Sequence, residues 1–330
     1  MARSPLTLAA LATSAVAGLD VAAVTRFGSA GAGAFDAALL TGADGRHWVV
    51  RVPRSEQAEA EQSADLVALR ALSAGVRARL RFAVSTFAGQ TPIDGTRAVV
   101  YEFVYGTKVE RASISPELAV SIGEAIAAIH SLPTSFVVDA GLPVDAPIDA
   151  LRASASLVDQ AAATGLVPLA LLQRWESAVE DAQLWQFTPV VVNGALGSES
   201  FLSADSAVSG VLGWHALRVG DPARDLQWLL GRGDDDVSGL AFDAYTRVRG
   251  TADRRLRQRA TLLSELEVAR WLLHGTRVRS TEIVDDAVEM MSHLVDDVEK
   301  DVMNPIGPQT MPVLGVEEVE ALLERAERAG

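Results

Sequence analysis

The sequence has no cysteine, only two lysines and no long apolar run. Without cysteine the chain can form no disulfide, no thiolate zinc site and no cysteine nucleophile. Its apolar stretches are shorter than the about 20 residues that a helix needs to cross a bilayer. The N-terminal LTLAALATSAVAG loosely resembles a signal peptide, but its polar interruptions fit an amphipathic helix equally well. We therefore expect a soluble, cytoplasmic protein that does not associate with membranes.

Basic clusters are also missing, and the formal net charge is −14. A protein that binds nucleic acid generally needs clustered cations, so nucleic acid is not an expected partner. The acidic runs Asp234–Asp236 and Asp296–Asp301 are typical of solvated surface. The five histidines lack metal-ligand spacing, and no Gly-x-Ser-x-Gly elbow occurs, so neither a metal site nor a hydrolase is indicated.

A glycine-rich segment, GSAGAGA, separates two expected strands, Val24–Phe27 and Phe35–Leu40. Gly28, Gly31 and Gly33 allow the backbone to turn sharply or to approach a ligand closely. No Gly-Lys-Ser/Thr follows, and the segment does not open a helix, so it is not a known phosphate-loop motif. A hairpin that holds no ligand explains the glycines equally well.

The next strand carries the first candidate functional side chain. Within His47–Pro53, the side chains of Trp48, Val50 and Val52 should share one face, so Arg51 points to the opposite face. Ser55 then caps a helix, and further strands follow. The expected apolar face of that helix and the two strands after it are Leu66, Val67, Leu69 and Leu72, then Phe82–Phe87 and Ala98–Val104.

Helical patterns dominate after residue 105. Ser115-Pro116-Glu117 is a helix start with a cap, a first-turn proline and a first-turn acid. A small hairpin interrupts the helices, and long amphipathic helices follow it. The expected hairpin strands and helices are Pro189–Val192, Val208–Leu212, Ala252–His274 and Ser280–Val302.

These elements predict an α+β protein with an antiparallel-sheet N-terminal lobe and a mainly helical C-terminal lobe. The lobes would comprise residues 1–105 and 106–302. Prolines and glycines in residues 303–330 indicate a linker that ends in a short acidic helix.

Four segments occur in an informative order: WVVRVPRS (48–55), YEFVYG (101–106), IGEAIAAIHSLP (122–133) and VGDPARDLQWLL (219–230). Together they resemble the aminoglycoside and macrolide phosphotransferases, small-molecule kinases with a two-lobed protein-kinase-like fold. In that family the segments are the third strand, the adenine-binding hinge, the helix before the catalytic loop and the segment after the metal-binding loop. The resemblance covers most of residues 20–300.

The resemblance implies where a nucleotide would bind. Arg51 would contact its phosphates, paired with an acid on the following helix, and Glu61 and Asp65 are equally good candidates for that acid. The hinge would contribute Glu102 and Val104. The full set of nucleotide-binding candidates is Gly28, Gly31, Gly33, Arg51, Glu61, Asp65, Glu102 and Val104.

The catalytic residues of the family are replaced. Where its members carry His-Gly-Asp-Leu and a later Asn, this chain has Asn193, Ala195 and Ser200 within VVNGALGSES. Gly213 stands where the metal-binding Asp is expected, next to a retained Trp214. Loss of a general base alone costs a factor on the order of 10² to 10⁴ in rate, and loss of the magnesium ligands adds to it. The resemblance therefore implies no intact catalytic residue, no bound metal and no cofactor.

These losses favour a noncatalytic phosphotransferase-like protein, or pseudokinase, that binds or regulates an unidentified protein or small molecule. Asp221 and Asp225 would be structural. The alternative is an active small-molecule O-phosphotransferase that uses ATP and Mg²⁺, with Glu199, His215 or Asp221 as relocated catalytic groups. A third hypothesis is a scaffold whose cleft binds a small ligand other than ATP.

Overall fold

A computed structural model describes residues 3–28, 33–230, 235–250 and 253–300, together with Ile306. Gly31, the acidic residue Asp234 and nearly all of the expected C-terminal linker and helix lie outside this part of the chain. Within it, no helix is both long enough and apolar enough to span a membrane.

The N-terminal part is a sheet with helices on its two faces. Its elements are α1 (Pro5–Ala15), β1 (Val21–Arg26), β2 (Phe35–Gly42), β3 (His47–Pro53), α2 (Glu56–Ala71), α3 (Ala74–Arg77), β4 (Ala83–Val84), β5 (Phe87–Ile93) and β6 (Thr96–Glu102). Five strands form an antiparallel sheet in the order β1-β2-β3-β6-β5. The predicted glycine-rich connection therefore joins the first two strands of this sheet.

One face of the sheet packs against α1. Leu8 and Ala12 of this helix are fully buried against Trp48, Val50 and Val52. The predicted alternation along β3 is thus confirmed, and it places Arg51 on the other face of the sheet. That second face is the one that turns toward the rest of the molecule.

The helix α2 begins as predicted, because the Ser55 hydroxyl accepts a hydrogen bond from the Ala58 amide at 3.2 Å. Leu66, Leu69 and Leu72 are buried, but Val67 is 45% exposed. The placement of Val67 on the apolar face was therefore wrong. Positions 66 and 67 differ by about 100° around a helix, so the stripe that contains Leu66 excludes its neighbour.

The C-terminal part is mainly helical. Its elements are β7 (Thr107–Lys108), α4 (Pro116–His130), α5 (Ser135–Asp139), α6 (Pro147–Ala162), α7 (Leu169–Glu180), β8 (Val190–Val192), β9 (Phe201–Ala204), β10 (Ala207–Val211), β11 (Arg218–Gly220), α8 (Ala223–Leu226), α9 (Asp235–Arg249), α10 (Leu256–Val278) and α11 (Thr281–Lys300). The Ser115 cap and the α4 helix are confirmed, and the Ser115 hydroxyl accepts from the Leu118 amide.

Two strand predictions were wrong, one in its extent and one in its pairing. The segment expected as one strand, Phe82–Phe87, divides between β4, which pairs with β10, and the start of β5, which pairs with β6. The expected hairpin partner of β10 was β8, but β10 pairs with β9, and β8 pairs with β11. The partners of β4 and β8 lie far away in the sequence, where local patterning carries no pairing information, whereas β9 and β10 form a local hairpin that the prediction missed.

The two parts share one hydrophobic core. The largest buried cluster contains Leu66 and Tyr101 from the N-terminal part together with Ile122, Trp214 and Leu226 from the C-terminal part. A separate cluster, which includes Leu171 and Trp175, lies among α6, α7, α10 and α11. The shared core brings α2 against the loops that follow β8 and β10, where the candidate site lies.

Candidate functional site

Asp225 on α8 fixes the loop that follows β8. Its carboxylate is fully buried and accepts hydrogen bonds from the backbone amides of Asn193 and Gly194, each at 2.7 Å. Gly194 has φ +86°, a left-handed conformation that disfavours side chains with a Cβ. The carboxylate thus holds the loop in one conformation by two charge-assisted bonds.

His130 and Tyr245 complete this buried network. The imidazole Nε2 of His130 lies 3.2 Å from the Asp225 carboxylate, and its Nδ1 lies 2.9 Å from the Tyr245 hydroxyl. Burial, as the largest cause, raises the pKa of Tyr245 to about 12. The phenol therefore stays protonated at neutral pH, and the network ties the loop to α4 and α9.

Asn193 connects this loop to the one that follows β10. Its side-chain Nδ2 donates to the Gly213 carbonyl at 2.9 Å, and its Oδ1 accepts from the Ala195 amide at 3.2 Å. The side chain is fully buried. Asn193 is therefore occupied on both its donor and its acceptor side by backbone groups of the two loops.

Asp65 links α2 to the same loop. Its carboxylate accepts from the Trp214 amide at 2.7 Å and from the Tyr101 hydroxyl at 3.4 Å. Burial raises the pKa of Asp65 above its ordinary value, and the Trp214 hydrogen bond and the positive charge of Arg51 partly oppose this rise. Asp65, rather than Glu61, thus faces the loop that follows β10, where the charge of Arg51 acts on it.

Glu61 and Arg51 have other neighbours. The Glu61 carboxylate accepts from Gln57 one turn earlier on α2, at 3.0 Å. The Arg51 guanidinium lies over the Phe35 ring, 3.8 Å from its centroid. Such a cation–π contact holds the guanidinium against the sheet.

The two described glycines of the glycine-rich segment lie at its ends. Gly28 has φ +85°, which explains the residue type, and the Gly33 carbonyl accepts from Arg54 at 3.3 Å. Gly31 lies outside the described residues.

The hinge after β6 carries an aromatic cluster that sequence reasoning missed. The rings of Phe27, His47, Phe103 and Tyr105 lie 5.0 to 6.1 Å apart in mostly edge-to-face contacts. His47 and Phe103 lie on adjacent strand ends, and the Phe103 amide donates to the His47 carbonyl at 3.1 Å. Strand pairing brings these rings together, so the individual segments give no signal for the cluster.

The two hinge candidates differ in their surroundings. The Glu102 carboxylate accepts from Arg46 at 2.6 Å. Val104 packs against β10, because a Cβ added to Gly210 would lie 2.5 Å from the Val104 Cγ1. Glu102 therefore contributes to a surface ion pair, whereas Val104 contacts the C-terminal part directly.

The sequence profile of the phosphotransferase enzyme family (APH) matches residues 29–263. The chain belongs to this family. A curated relative, the uncharacterized protein YcbJ of Bacillus subtilis (strain 168), is 25% identical over 189 residues, which cover 55% of this chain and 61% of the relative. The match thus spans about three fifths of that relative's length.

Solved phosphotransferase structures share the fold along almost their whole length. The macrolide 2'-phosphotransferase MphH of Brachybacterium faecium, as apoenzyme, superposes with a TM-score of 0.71 at 21% identity, covering 86% of this chain and 97% of its own. A type I macrolide 2'-phosphotransferase gives 0.68 at 25% identity, with 88% and 98% covered. A GDP complex of aminoglycoside 2'-phosphotransferase-IIIa gives 0.71 at 19%, with 88% and 98% covered. The predicted α+β fold class of the phosphotransferases is confirmed.

The positions predicted from the family resemblance to replace its catalytic residues carry little chemistry. Ala195 presents an exposed methyl group, and the Ser200 hydroxyl accepts from the Gly197 amide at 3.2 Å. Gly213 has no side chain, and its carbonyl is bonded to Asn193. Within the described residues, no three His, Asp or Glu side chains are grouped to hold a metal. This donor set does not fit Mg²⁺, which needs oxygen ligands such as carboxylates.

The possible replacements lie in different settings. Glu199 is 87% exposed, 3.9 Å from Lys108, and His215 is exposed. Asp221 instead faces the interior, where it accepts two hydrogen bonds from the buried Arg259, at 2.9 and 3.0 Å. Of these three candidates, Glu199 and His215 present accessible side chains near the two loops.

Proposed function

We propose that this member of the phosphotransferase family is noncatalytic and acts by binding. The observation that carries the proposal is that the polar groups of the two loops are engaged in holding backbone. Asn193 bonds both loops, Asp225 bonds two amides, and Asp65 bonds the amide after Gly213. A site that keeps its loop geometry and has a methyl group at Ala195 can recognise a ligand but offers no base to a substrate hydroxyl.

Any nucleotide binding by a noncatalytic site should also proceed without help from Mg²⁺. Ser200 and Gly213 offer no carboxylate or amide side chain, so Mg²⁺ should add little to the affinity for a nucleoside triphosphate. Any contact of Arg51 and the glycine-rich segment with the phosphates would therefore not involve Mg²⁺.

The direct test uses the purified full-length chain. We expect no increase in melting temperature when Mg²⁺ is added to ATP or GTP, and no hydrolysis or transfer of the γ-phosphate to aminoglycosides or macrolides. A ligand that binds the folded state stabilises it by RT ln(1 + [L]/Kd), so the shift reports affinity. A magnesium-dependent shift accompanied by turnover would contradict the proposal.

Restoring the family residues provides the matched gain-of-function test. The triple variant Ala195→Asp, Ser200→Asn, Gly213→Asp should acquire a magnesium-dependent shift with ATP. Gly213 has φ +73° with open space around a Cβ, so its replacement by Asp costs about 1 kcal/mol of backbone strain. If the folded triple variant shows no such shift, the assignment of these three positions is wrong.

The alternative is an active ATP-dependent O-phosphotransferase that uses relocated groups, and the exposure of His215 and Glu199 near the loops is what favours it. If the natural chain turns over ATP, the variants His215→Ala and Glu199→Gln test which residue acts as the base. Loss of turnover in either one would identify the replacement base.

A further inference from the structure

Two arginines lie beside Ala195, where the family resemblance places the catalytic Asp. Arg224 is partly buried, and its Nε donates to the Gly194 carbonyl at 2.8 Å, one residue before Ala195. Within the described part of the chain, its two terminal Nη groups have no hydrogen-bond partner. A partly buried guanidinium with two free NH2 groups, which carry four N–H donors, is an incomplete binding arrangement.

Arg218 lies at the same junction of the two loops. Its Nε donates to the Ala216 carbonyl at 3.1 Å. Gly194 packs directly on that residue, because a Cβ added to Gly194 would lie 2.5 Å from the Ala216 carbonyl oxygen. The two guanidinium groups are therefore anchored on neighbouring backbone carbonyls of touching loops.

The acids around this pair are engaged with groups other than Arg224. Burial is the main cause that lowers the pKa of Arg224, and the charges of Arg218 and Arg270 lower it further. Asp145 pairs with Arg218 at 3.0 Å and Glu267 pairs with Arg270 at 3.1 Å. The remaining acid, Asp225, is committed to two amides and to His130. Arg224 thus lacks a carboxylate partner of its own.

We propose that Arg218 and Arg224 bind the phosphate group of a small molecule, without a metal, next to Ala195. The planar guanidinium fork matches the oxygens of a phosphate, and Arg is preferred for such contacts. The inference rests on the proposed noncatalytic function, because an Asp at position 195 would repel the same anion. It extends that function by naming the chemical class of the ligand.

The test measures binding to the full-length chain by isothermal titration calorimetry, with EDTA present and no nucleotide. The probes are inorganic phosphate, glycerol 3-phosphate as a simple monoester, and acetate as a carboxylate. We expect both phosphates to bind and acetate to bind at least about tenfold more weakly. Tighter binding of glycerol 3-phosphate would identify the ligand as an ester, and tighter binding of inorganic phosphate would identify the free ion. Equal binding of acetate, or no binding of either phosphate, would overturn the proposal.

Variants distinguish phosphate binding at Arg218 and Arg224 from nonspecific binding to other exposed arginines. Arg218→Gln and Arg224→Gln should each weaken phosphate binding about tenfold, whereas Arg79→Gln, at an exposed arginine on the N-terminal part, should leave it unchanged. Ala195→Asp should weaken binding by a similar factor, and the uncharged Ala195→Asn should change it less than about twofold.

These variants keep the two proposals distinguishable. If Arg224→Gln does not fold, Arg218→Gln and the Ala195 pair decide the outcome. Unchanged affinity in Arg218→Gln and Ala195→Asp overturns the phosphate site even if the chain proves noncatalytic. Turnover of ATP by the natural chain would contradict the noncatalytic function, whatever these titrations show.

Discussion

At the scale of single residues, Asp225 holds the loop that follows β8 in place. Its carboxylate meets two backbone amides and an imidazole, with no solvent contact. A buried charge without partners would be strongly unfavourable, so these three contacts are what make its burial possible. The loop geometry therefore depends on the charge of this residue.

Replacing Asp225 by Asn should destabilise the fold by roughly 3 kcal/mol, because the amide offers a donor where the Asn193 and Gly194 amides need acceptors. Urea denaturation followed by circular dichroism measures the change in the free energy of unfolding. Asp159→Asn, at an exposed position on α6, is the control and should change it by less than about 0.5 kcal/mol. Equal effects of the two variants would contradict the structural role.

Asp65 gives a pH-dependent prediction. Burial raises its pKa in the folded chain above the ordinary value of 3.8, so the folded state holds this proton more tightly than the unfolded state. The contribution of Asp65 to stability is then fully present below pH 3.8 and is lost as the pH rises through the raised pKa. The variant Asp65→Asn lacks this titration.

The stability of Asp65→Asn relative to the natural chain should therefore increase between pH 4 and pH 7, as measured by urea denaturation at each pH. Asn can still accept the Trp214 amide hydrogen bond, so the variant should fold. The exposed-site variant Asp159→Asn, measured over the same pH range, is the control. A relative stability that decreases with pH would mean that the hydrogen bond and Arg51 outweigh burial.

At the scale of elements, α4 and α9 pack so closely that one position requires glycine. A Cβ added to Gly123 on α4 would lie 2.1 Å from the Ala241 carbonyl oxygen of α9. Real contacts of this kind are much longer, so the helices would have to separate. Gly239 on α9 has nothing within 4 Å of the same added atom.

The same substitution should thus have opposite effects at these two helical glycines. Gly123→Ala should destabilise the chain by roughly 2 to 3 kcal/mol through overpacking. Gly239→Ala should stabilise it by up to about 1 kcal/mol, because alanine has the higher helix propensity. Thermal or urea unfolding measures both changes. Similar effects at the two positions would show that α4 and α9 are farther apart than described.

At the scale of the whole molecule, the largest hydrophobic cluster contains residues of both the sheet-containing part and the helical part. The Asp65 contact with the Trp214 amide adds a polar link between them. Neither part can therefore expose its half of this core without disrupting the other.

We expect a single cooperative unfolding transition, with coincident urea curves from tryptophan fluorescence and far-ultraviolet circular dichroism. The probes are complementary, since Trp48 reports on the sheet and Trp175 on the helical cluster. Two resolved transitions would show that the shared core contributes little to stability.

Interactions between neighbouring residues were sufficient to predict where helices begin and which face of a strand is buried. The caps Ser55 and Ser115 begin their helices as predicted, and the alternation along β3 places Arg51 on the face opposite α1. These features depend on neighbouring residues only, because capping and side-chain alternation act over one to four positions. Ordered family-like segments extended this local information to the fold of the whole chain.

Tertiary structure alone decided the pairing and the site. Glu61 and Asp65 are equivalent in sequence, and only the packing of α2 against Trp214 and Tyr101 selects Asp65. The pairing of β8 with β11 and the placement of Arg218 and Arg224 beside the Gly194 loop likewise depend on segments that are distant in the sequence. The sequence determined which side chains were available, whereas long-range packing determined which of them meet, because contacts between distant segments leave no local periodicity.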